Sequence, residues 1–486
     1  MDENIFISDD LDENISKVKE ITLGSFDIIS RVFTTVNGAR MCAFFVDGLT
    51  NKVTIQDNII RPLVELKYRE GNEGIRGIRD VLLDLLSAGD VKEEPSLTAG
   101  IDKFLCGETL LLMDGQRRGL VVETRGWQNR GIQQPTTQKS VRGPQESFTE
   151  TMLFNTALMR RKIKSEKLKM EPMKVGGYTK TDICLVYVDG LADSGLVNTV
   201  RGRIRKVDSV DYLLDSGHLE QLIEDHPKSL FGTIAVNEKP DIVAAKIMEG
   251  RVAIIVDGTP FVLTVPMLFV EGFHAAEDYY SRPFYANILR ILRIFAYIVT
   301  LLLPAVYIAL VDFHQEMIPD KLLYTIIRAK DGIPLPSFLE VLIMLVLYEI
   351  LREAILRLPT PIGSTIGIVG GLIIGQAAIS AGIVGGPVVV VAAITFITSA
   401  VVNPSVDSVV ILRILLLALA VVLGIFGILL GIFGIFVHLC SLQSFGVPYM
   451  MPFVPVNKKG LQDAAVRFPI RKIIDKRTGQ IIYKKK

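Results

Sequence analysis

The sequence changes character near residue 285, and this change most limits how the chain can fold. Before that point charged residues are spread throughout and apolar runs are short, as in a soluble protein. After it come long stretches with almost no charge, which raise the hydrophobic share of the 486 residues to 49%. We therefore predict a soluble N-terminal region followed by a polytopic α-helical membrane domain.

The membrane half contains five apolar segments that differ in length and in charge. The first and last are long enough to span the hydrocarbon of a bilayer, the fourth is short, and the second carries charged residues. Either the second or the fourth could lie at the interface or re-enter. The five segments are 288–311, 338–358, 362–384, 387–402 and 409–437.

Flanking charges predict the orientation of these segments. Arg282, Arg290 and Arg293 lie at the start of the first segment, which places the soluble region on the cytoplasmic side. Residues 457–486 contain ten Lys or Arg and two Asp, which places the C-terminus on that side too. Two cytoplasmic termini require an even number of crossings, so four spans fit better than five.

A repeated pattern divides the soluble half. An Asp-Gly pair ends an apolar run four times, and the neighbouring residues recur with it. "ARMCAFFVDGL" (39–49) aligns with "KTDICLVYVDGL" (180–191), and "FLCGETLLLMDGQ" (104–116) with "KIMEGRVAIIVDGT" (246–259), at offsets of 142 and 143 residues. We predict two copies of one α/β unit, each with a mixed sheet, a helix and a hairpin.

These patterns set the predicted domain boundaries. A helix beginning near Pro144 is expected between the two copies. The predicted regions are a first cytoplasmic α/β subdomain at 1–126, a helical linker at 127–178, a second α/β subdomain at 179–285, a transmembrane domain at 286–456 and a basic tail at 457–486.

The Asp-Gly pairs are interpreted as turns. Asp tolerates tight turns and Gly supplies positive φ, so the dipeptide after a strand is typical of a hairpin. The five histidines form no ligand cluster, the four cysteines are far apart, and no nucleotide, zinc-protease or hydrolase motif is present. We expect no enzyme, cofactor, metal site or nucleic-acid partner. A membrane enzyme that uses Asp47 and Asp189 is kept as a hypothesis beside the channel and scaffold hypotheses given below.

A small-residue stripe in "PTPIGSTIGIVGGLIIGQAAISAGIVGGP" (359–387) is the strongest functional feature. Glycines four residues apart let another backbone approach a helix, and hydroxyl and amide groups without charge suit weakly held ions. We predict packing between subunits around an axis, with polar side chains facing an aqueous path; the alternative is packing within one subunit. The candidate pore-lining or subunit-packing residues are Gly363, Thr365, Gly367, Val369, Gly371, Ile373, Gly375, Gln376 and Ser380.

Two further patterns lie in the membrane half. Glu349, Arg352 and Glu353 are spaced as on one helical face, which predicts a salt-bridge ladder, with a gate or vestibule role as the alternative. Glycines at 424, 427, 431 and 434 alternate three- and four-residue spacings, which suits packing of one helix against another.

Four long motifs resemble one family. "SVRGPQESFTE" (140–150), "VDGTPFVLTVP" (256–266), "EDYYSRPFYANILRILR" (277–293) and the stripe resemble the A subunit of GerA-type spore germination receptors, and the resemblance runs from about residue 20 to 455. It implies the inner membrane of bacterial spores, with the soluble region in the core. The implied partners are a transporter-like, germinant-binding B subunit and a lipoprotein C subunit.

The resemblance also implies a mechanism. Such A subunits form a homo-oligomeric ring that acts as a ligand-gated channel for monovalent cations at the start of germination. A non-conducting scaffold of the same receptor complex is the alternative. Membership in a related branch of A-like proteins, which works with a different spore-membrane system, is a further alternative. The germinant, ion selectivity, subunit number and gate are not set by this sequence.

Overall fold

The structure, a computed structural model, describes most of the chain and consists of two α/β subdomains and a bundle of long helices. The described residues are 5–35, 38–65, 91–126, 135, 138, 140, 142–207, 210–401, 406–458 and 460–469.

Subdomain 1 is a five-stranded sheet with helices on both faces. Alternate residues of its two central strands are buried against α1 and α4 on one face and against residues 55–63 on the other, which explains their unbroken apolar runs. The strand order is β1-β2-β4-β5-β3. The helices are α1 (Leu11–Ile21), α2 (Lys52–Thr54), α3 (Arg61–Glu65) and α4 (Leu97–Phe104), with a π-helix at Ile55–Ile60; the strands are β1 (Ile28–Thr34), β2 (Arg40–Val46), β3 (Val91–Glu94), β4 (Thr109–Met113) and β5 (Gly119–Val122).

Subdomain 2 has the same arrangement of strands. Its order is β6-β7-β9-β10-β8, so the strands occupy the sheet in the same sequence as those of subdomain 1. The helices are α5 (Met152–Lys162), α6 (Ser194–Val207), α7 (Ser216–Ile223) and α8 (Pro240–Met248), and the strands are β6 (Leu168–Val175), β7 (Thr181–Val188), β8 (Ala235–Asn237), β9 (Val252–Val256) and β10 (Val262–Val265).

Several local predictions need correction. Every described strand pair in the two sheets is antiparallel, so the expected mixed sheets were wrong; hairpins join β4 to β5 and β9 to β10. The helix expected at Pro144 begins at Met152, because buried Phe148 holds the preceding segment along subdomain 2 through a bond to the Glu238 carbonyl (2.9 Å). Leu168–Val175, expected in the helical linker, is strand β6. The helical pattern at 75–89 lies outside the described residues.

The Asp-Gly pairs are turns, as predicted. Gly48, Gly115, Gly190 and Gly258 have φ of 82°, 75°, 75° and 91°, which an L-residue adopts only with strain. Asp114 and Asp257 also act at a distance: their Oδ1 atoms accept hydrogen bonds from the first backbone N–H of α1 (Leu11, 3.2 Å) and of α5 (Met152, 2.8 Å). Each carboxylate therefore stabilises the positive end of a helix.

The second half of the chain consists of long apolar helices. Among the described residues, Pro283–Phe313 and Ser408–Ser441 are long and apolar enough to cross a membrane, judged by length and composition. The helices are α9 (Glu277–Tyr280), α10 (Pro283–Ile308), α11 (Asp320–Lys330), α12 (Ser337–Arg357), α13 (Thr360–Ser380), α14 (Gly386–Val401) and α15 (Val406–Ser441), followed by the short strands β11 (Gln443–Ser444) and β12 (Val447–Pro448).

α15 is folded back on itself. Gly424 breaks its helical geometry with φ 59° and ψ −139°. A Cβ on Gly427 would collide with the Leu419 carbonyl oxygen, and one on Gly431 would collide with Leu416 Cδ2. Such contacts between residues more than two turns apart require two antiparallel arms. Gly427 and Gly431, two of the four glycines predicted to pack helix against helix, thus lie where the two arms of one hairpin meet.

The segment after α15 returns to subdomain 2. Ser444 Oγ accepts a hydrogen bond from the Met267 N–H (3.1 Å) and donates one to the Thr233 carbonyl (2.6 Å). The Phe445 ring lies under the Arg203 guanidinium at 4.3 Å. The end of the helical bundle is therefore fastened to the second soluble subdomain.

Candidate functional site

Helix α13 carries the predicted small-residue stripe and lies between two helices of the same chain. A Cβ on Gly367 would lie 3.0 Å from Ile355 of α12, and one on Gly375 would lie 3.1 Å from Val389 of α14. Gly371 faces Leu351 of α12 at 3.9 Å. These three glycines therefore serve close packing within the chain, which was the alternative interpretation of the stripe.

The opposite face of α13 is uncovered in the single chain. Ile373 is 58% exposed, and Gln376 and Ser380 are also exposed. Three further candidates, Gly363, Thr365 and Val369, lie in the part of α13 whose side chains the structure does not describe. The structure thus separates the candidate residues into a packing side and an exposed side.

A polar group fixes the C-terminal end of α13. Glu340 of α12 is fully buried and accepts a hydrogen bond from the Gly385 N–H (2.8 Å) just beyond α13. Lys330 Nζ lies 4.0 Å from both Glu340 Oε1 and Asp312 Oδ1, and Ser337 Oγ donates to Asp312 Oδ1 (2.6 Å). These residues were not among the predicted site residues, although an acid in an apolar run is the signal that could have found Glu340.

The charged face of α12 forms ion pairs in the helix and one outside it. Glu349 lies 2.8 Å from Arg352, and Glu353 lies 2.6 Å from Arg357. Glu349 also binds Arg413 of α15 at 2.7 Å, and the Arg413 side chain is 3% exposed. The ladder is thus extended across helices. Arg413 was not among the predicted site residues. One feature of the sequence could have indicated it, since Arg413 is the single charged residue of segment 409–437.

The polar groups on the exposed face of α13 are neutral, unlike the charged side chains of α12. Among the described residues, no group of three or more His, Cys, Asp or Glu side chains could hold a metal ion. Asp47 forms an ion pair with Lys52 (2.7 Å), and Asp189 is exposed at its turn. The exposed face of α13 presents a hydroxyl and an amide, whose oxygens can replace part of a cation's hydration shell.

Comparison with known proteins gives a consistent family signal. Residues 16–478 match the family described as Bacillus/Clostridium GerA spore germination protein. The chain is 42% identical over 470 residues to spore germination protein KA of Bacillus subtilis, covering 96% of this chain and 86% of that protein. It is 34% identical over 468 residues to spore germination protein GerLA of Bacillus cereus, covering 95% and 94%.

Two further proteins are similar to this chain, one of them a solved structure. The chain is 40% identical over 468 residues to the membrane protein YfkQ of Bacillus subtilis, covering 95% of this chain and 90% of that protein. The N-terminal domain of the A subunit of the Bacillus megaterium spore germinant receptor GerK3 is 32% identical and aligns with a TM-score of 0.43, covering 55% of this chain and 98% of that domain.

Proposed function

This chain belongs to the GerA family of spore germination proteins, and we propose that it is a germinant-receptor A subunit that oligomerises into a gated channel for monovalent cations. It lies in the spore inner membrane, with both termini on the core side. A germinant-binding B subunit and a lipoprotein C subunit complete the receptor. The alternative is a non-conducting scaffold in the same complex.

The observation that carries this proposal is the division of α13 into two faces. One face is used by Gly367, Gly371 and Gly375 to pack against neighbours in the chain. The other leaves Ile373, Gln376 and Ser380 uncovered, which is costly for an amide in lipid unless water or another subunit meets it. A ring that brings this face of each subunit to a central axis would place it against neighbouring subunits and against water on the axis.

Helix directions support an even number of crossings. Contacts between α12 and α13, and between α13 and α14, join residues near their shared turns, so these neighbours are antiparallel. The two arms of α15 are antiparallel as well. With α10, we propose six passes rather than four, which keeps both termini on one side.

The soluble half supports a duplicated origin. The two sheets share one strand order, and Asp114 and Asp257 cap the helix before each sheet in the same way. We propose that the subdomains are copies of one unit that begins with α1 and with α5. This assigns α5 to the second copy rather than to a linker.

Cation flux from liposomes tests the channel. We expect purified protein with Ile373→Ala to leak potassium because a bulky side chain is removed from the path, and Ile373→Trp to conduct less than the parent when the receptor is activated. The matched control is Ile350→Trp on α12, since Ile350 is 61% exposed. Equal flux in Ile373→Trp and Ile350→Trp would contradict a path along α13.

The same assay addresses the scaffold alternative. If the chain only assembles the receptor, none of its variants conducts alone, and potassium efflux requires another subunit whose own variants change the rate. Protein level and oligomeric state must be unchanged in each variant for the comparison to count.

A further inference from the structure

A cavity of about 470 Å³ lies where subdomain 2 meets the helical bundle. We call it the junction cavity. Its walls come from α7 and α8, from the connection that leads to α10, from the first residues of α15 and from the segment after α15. Its volume is in the range of small-molecule sites. An occupant would therefore touch both the soluble region and the bundle.

The lining of the junction cavity is rich in carboxylates. It includes Glu220, Asp241, Glu249, Glu271 and Asp463, against the two basic side chains Lys246 and Arg251. Its one histidine adds no charge at neutral pH, because burial and nearby Arg290 lower the pKa of His274 to about 4.

Some of these carboxylates already have a basic side chain nearby. Arg290 lies 2.8 Å from Asp463, and Lys239 lies 3.8 Å from Asp241. Glu271 forms ion pairs with both basic side chains of the lining, Arg251 at 2.5 Å and Lys246 at 3.2 Å. Burial alone would raise the pKa of Glu271, but these two cations lower it to about 2.

The remaining carboxylates are short of positive charge. Glu249 has one basic partner within 4 Å among the described residues, Arg251 at 3.2 Å, which it shares with Glu271. Glu220 has no basic partner within 4 Å in the part of the chain that the structure describes. Burial, with Glu224 and Asp215 nearby, raises the pKa of Glu220 to about 7, and burial also raises the pKa of Glu249.

Asp241 gives a separate indication of a missing partner. Its side chain is 9% exposed and lines the cavity. Oδ2 accepts a hydrogen bond from the Tyr280 hydroxyl, while Oδ1 has no hydrogen-bond partner in the described part of the chain. A buried carboxylate oxygen without a donor is costly, and a ligand N–H would remove that cost.

The apolar part of the lining is aromatic. Phe231, Tyr279 and Tyr449 line the cavity, and Phe231 and Tyr449 are 4% and 3% exposed. Aromatic faces attract cations and cover short alkyl chains. We propose that the junction cavity binds a small organic ammonium ion, that is, an ammonium group on a short apolar body. Glu249 receives the ammonium group, while Glu220 and Asp241 add negative charge elsewhere on the wall of the cavity.

Thermal unfolding of the full-length protein in detergent micelles, at constant ionic strength, tests this site. We expect n-butylammonium to raise the unfolding midpoint in a saturable way, whereas butyrate and 1-butanol, of similar size, do not. Glu249→Gln should weaken n-butylammonium binding roughly tenfold or more, the change expected for losing a hydrogen bond to a charged group. Glu123→Gln, at an exposed glutamate of subdomain 1, should bind as the parent does.

A second variant guards against misfolding of the first. Glu220→Gln removes the other unpaired carboxylate and should also weaken n-butylammonium binding, measured by saturation-transfer NMR on the ligand. An equal response to butyrate, or parental affinity in both Glu249→Gln and Glu220→Gln, would overturn the proposal. The binding assay contains no ion gradient, so its outcome is independent of whether the chain conducts cations.

Discussion

The two N-terminal subdomains have sheets of the same strand order, but different side chains surround the two sheets. Both have the same strand order, and in both an Asp-Gly turn caps a helix that precedes the sheet. At the offset of 143 residues that relates Gly107 to Gly250, the cavity residues Asp241 and Glu249 correspond to Thr98 and Cys106. These two acids of the junction cavity therefore have no counterpart in the first subdomain.

The equivalent lysines show where the difference arises. Lys103 of α4 binds Glu94 of the neighbouring strand β3 (2.7 Å), so its charge is neutralised inside subdomain 1. Lys246 of α8 binds Glu271, which lies outside the sheet on the way to α10 (3.2 Å). The backbone framework is thus common to both, whereas the side chains around α8 are adapted to contact with the bundle.

The largest expected effect concerns the joint between the subdomains. Arg160 of α5 is fully buried, binds Asp27 of subdomain 1 at 2.8 Å and donates to the Leu168 carbonyl of subdomain 2 at 2.9 Å. Arg160→Met leaves Asp27 buried without its partner, and we expect a loss of about 3–5 kcal/mol in the free energy of unfolding. Urea unfolding followed by circular dichroism measures it.

Arg161→Met is the matched control for this joint. Arg161 is adjacent, 25% exposed and paired with Glu146. A partly solvated pair contributes about 1 kcal/mol or less. Similar losses in the two variants would show that Arg160 does not join the subdomains in the way the contacts indicate.

A smaller effect should distinguish the two equivalent glycines. Gly107 and Gly250 both have positive φ (98° and 89°), so alanine is strained at each, by about 1–2 kcal/mol. A Cβ would lie 3.3 Å from the Leu49 carbonyl oxygen in the first case and 2.9 Å from the Leu191 carbonyl oxygen in the second. We expect Gly250→Ala to lower the unfolding midpoint more than Gly107→Ala. The reverse order would mean that the second subdomain relaxes more easily.

Much of this architecture could be predicted, because local patterns determine it. The Asp-Gly turns follow from residue preferences, and the central strands follow from apolar runs that are buried on both faces. The antiparallel pairing could also have been predicted, since a two-residue turn joins neighbouring antiparallel strands.

The rest depends on contacts between distant residues. Segment 409–437 looks like one helix, and only contacts across its two arms, such as that between Gly431 and Leu416, show that it turns back. Arg413 and Glu349 are 64 residues apart, so their pairing has no local signal. Glycines every four residues predict close packing on α13, but the partner, another subunit or the same chain, is a property of the tertiary structure.

The smallest expected effect is a pH dependence in the second subdomain. Because burial raises the pKa of Glu220 to about 7, the folded protein holds this proton more tightly than the unfolded chain, whose value is near 4.5. Stability from this group is complete below pH 4.5 and is lost as the pH rises through 7. Glu220→Gln, which resembles the protonated acid, should therefore be more stable than the parent at pH 8, with a free energy of unfolding higher by about 1 kcal/mol or less and a higher unfolding midpoint. The two midpoints should converge near pH 4, and a constant difference across this range would show that Glu220 is ionised normally and that its wall of the junction cavity is solvated.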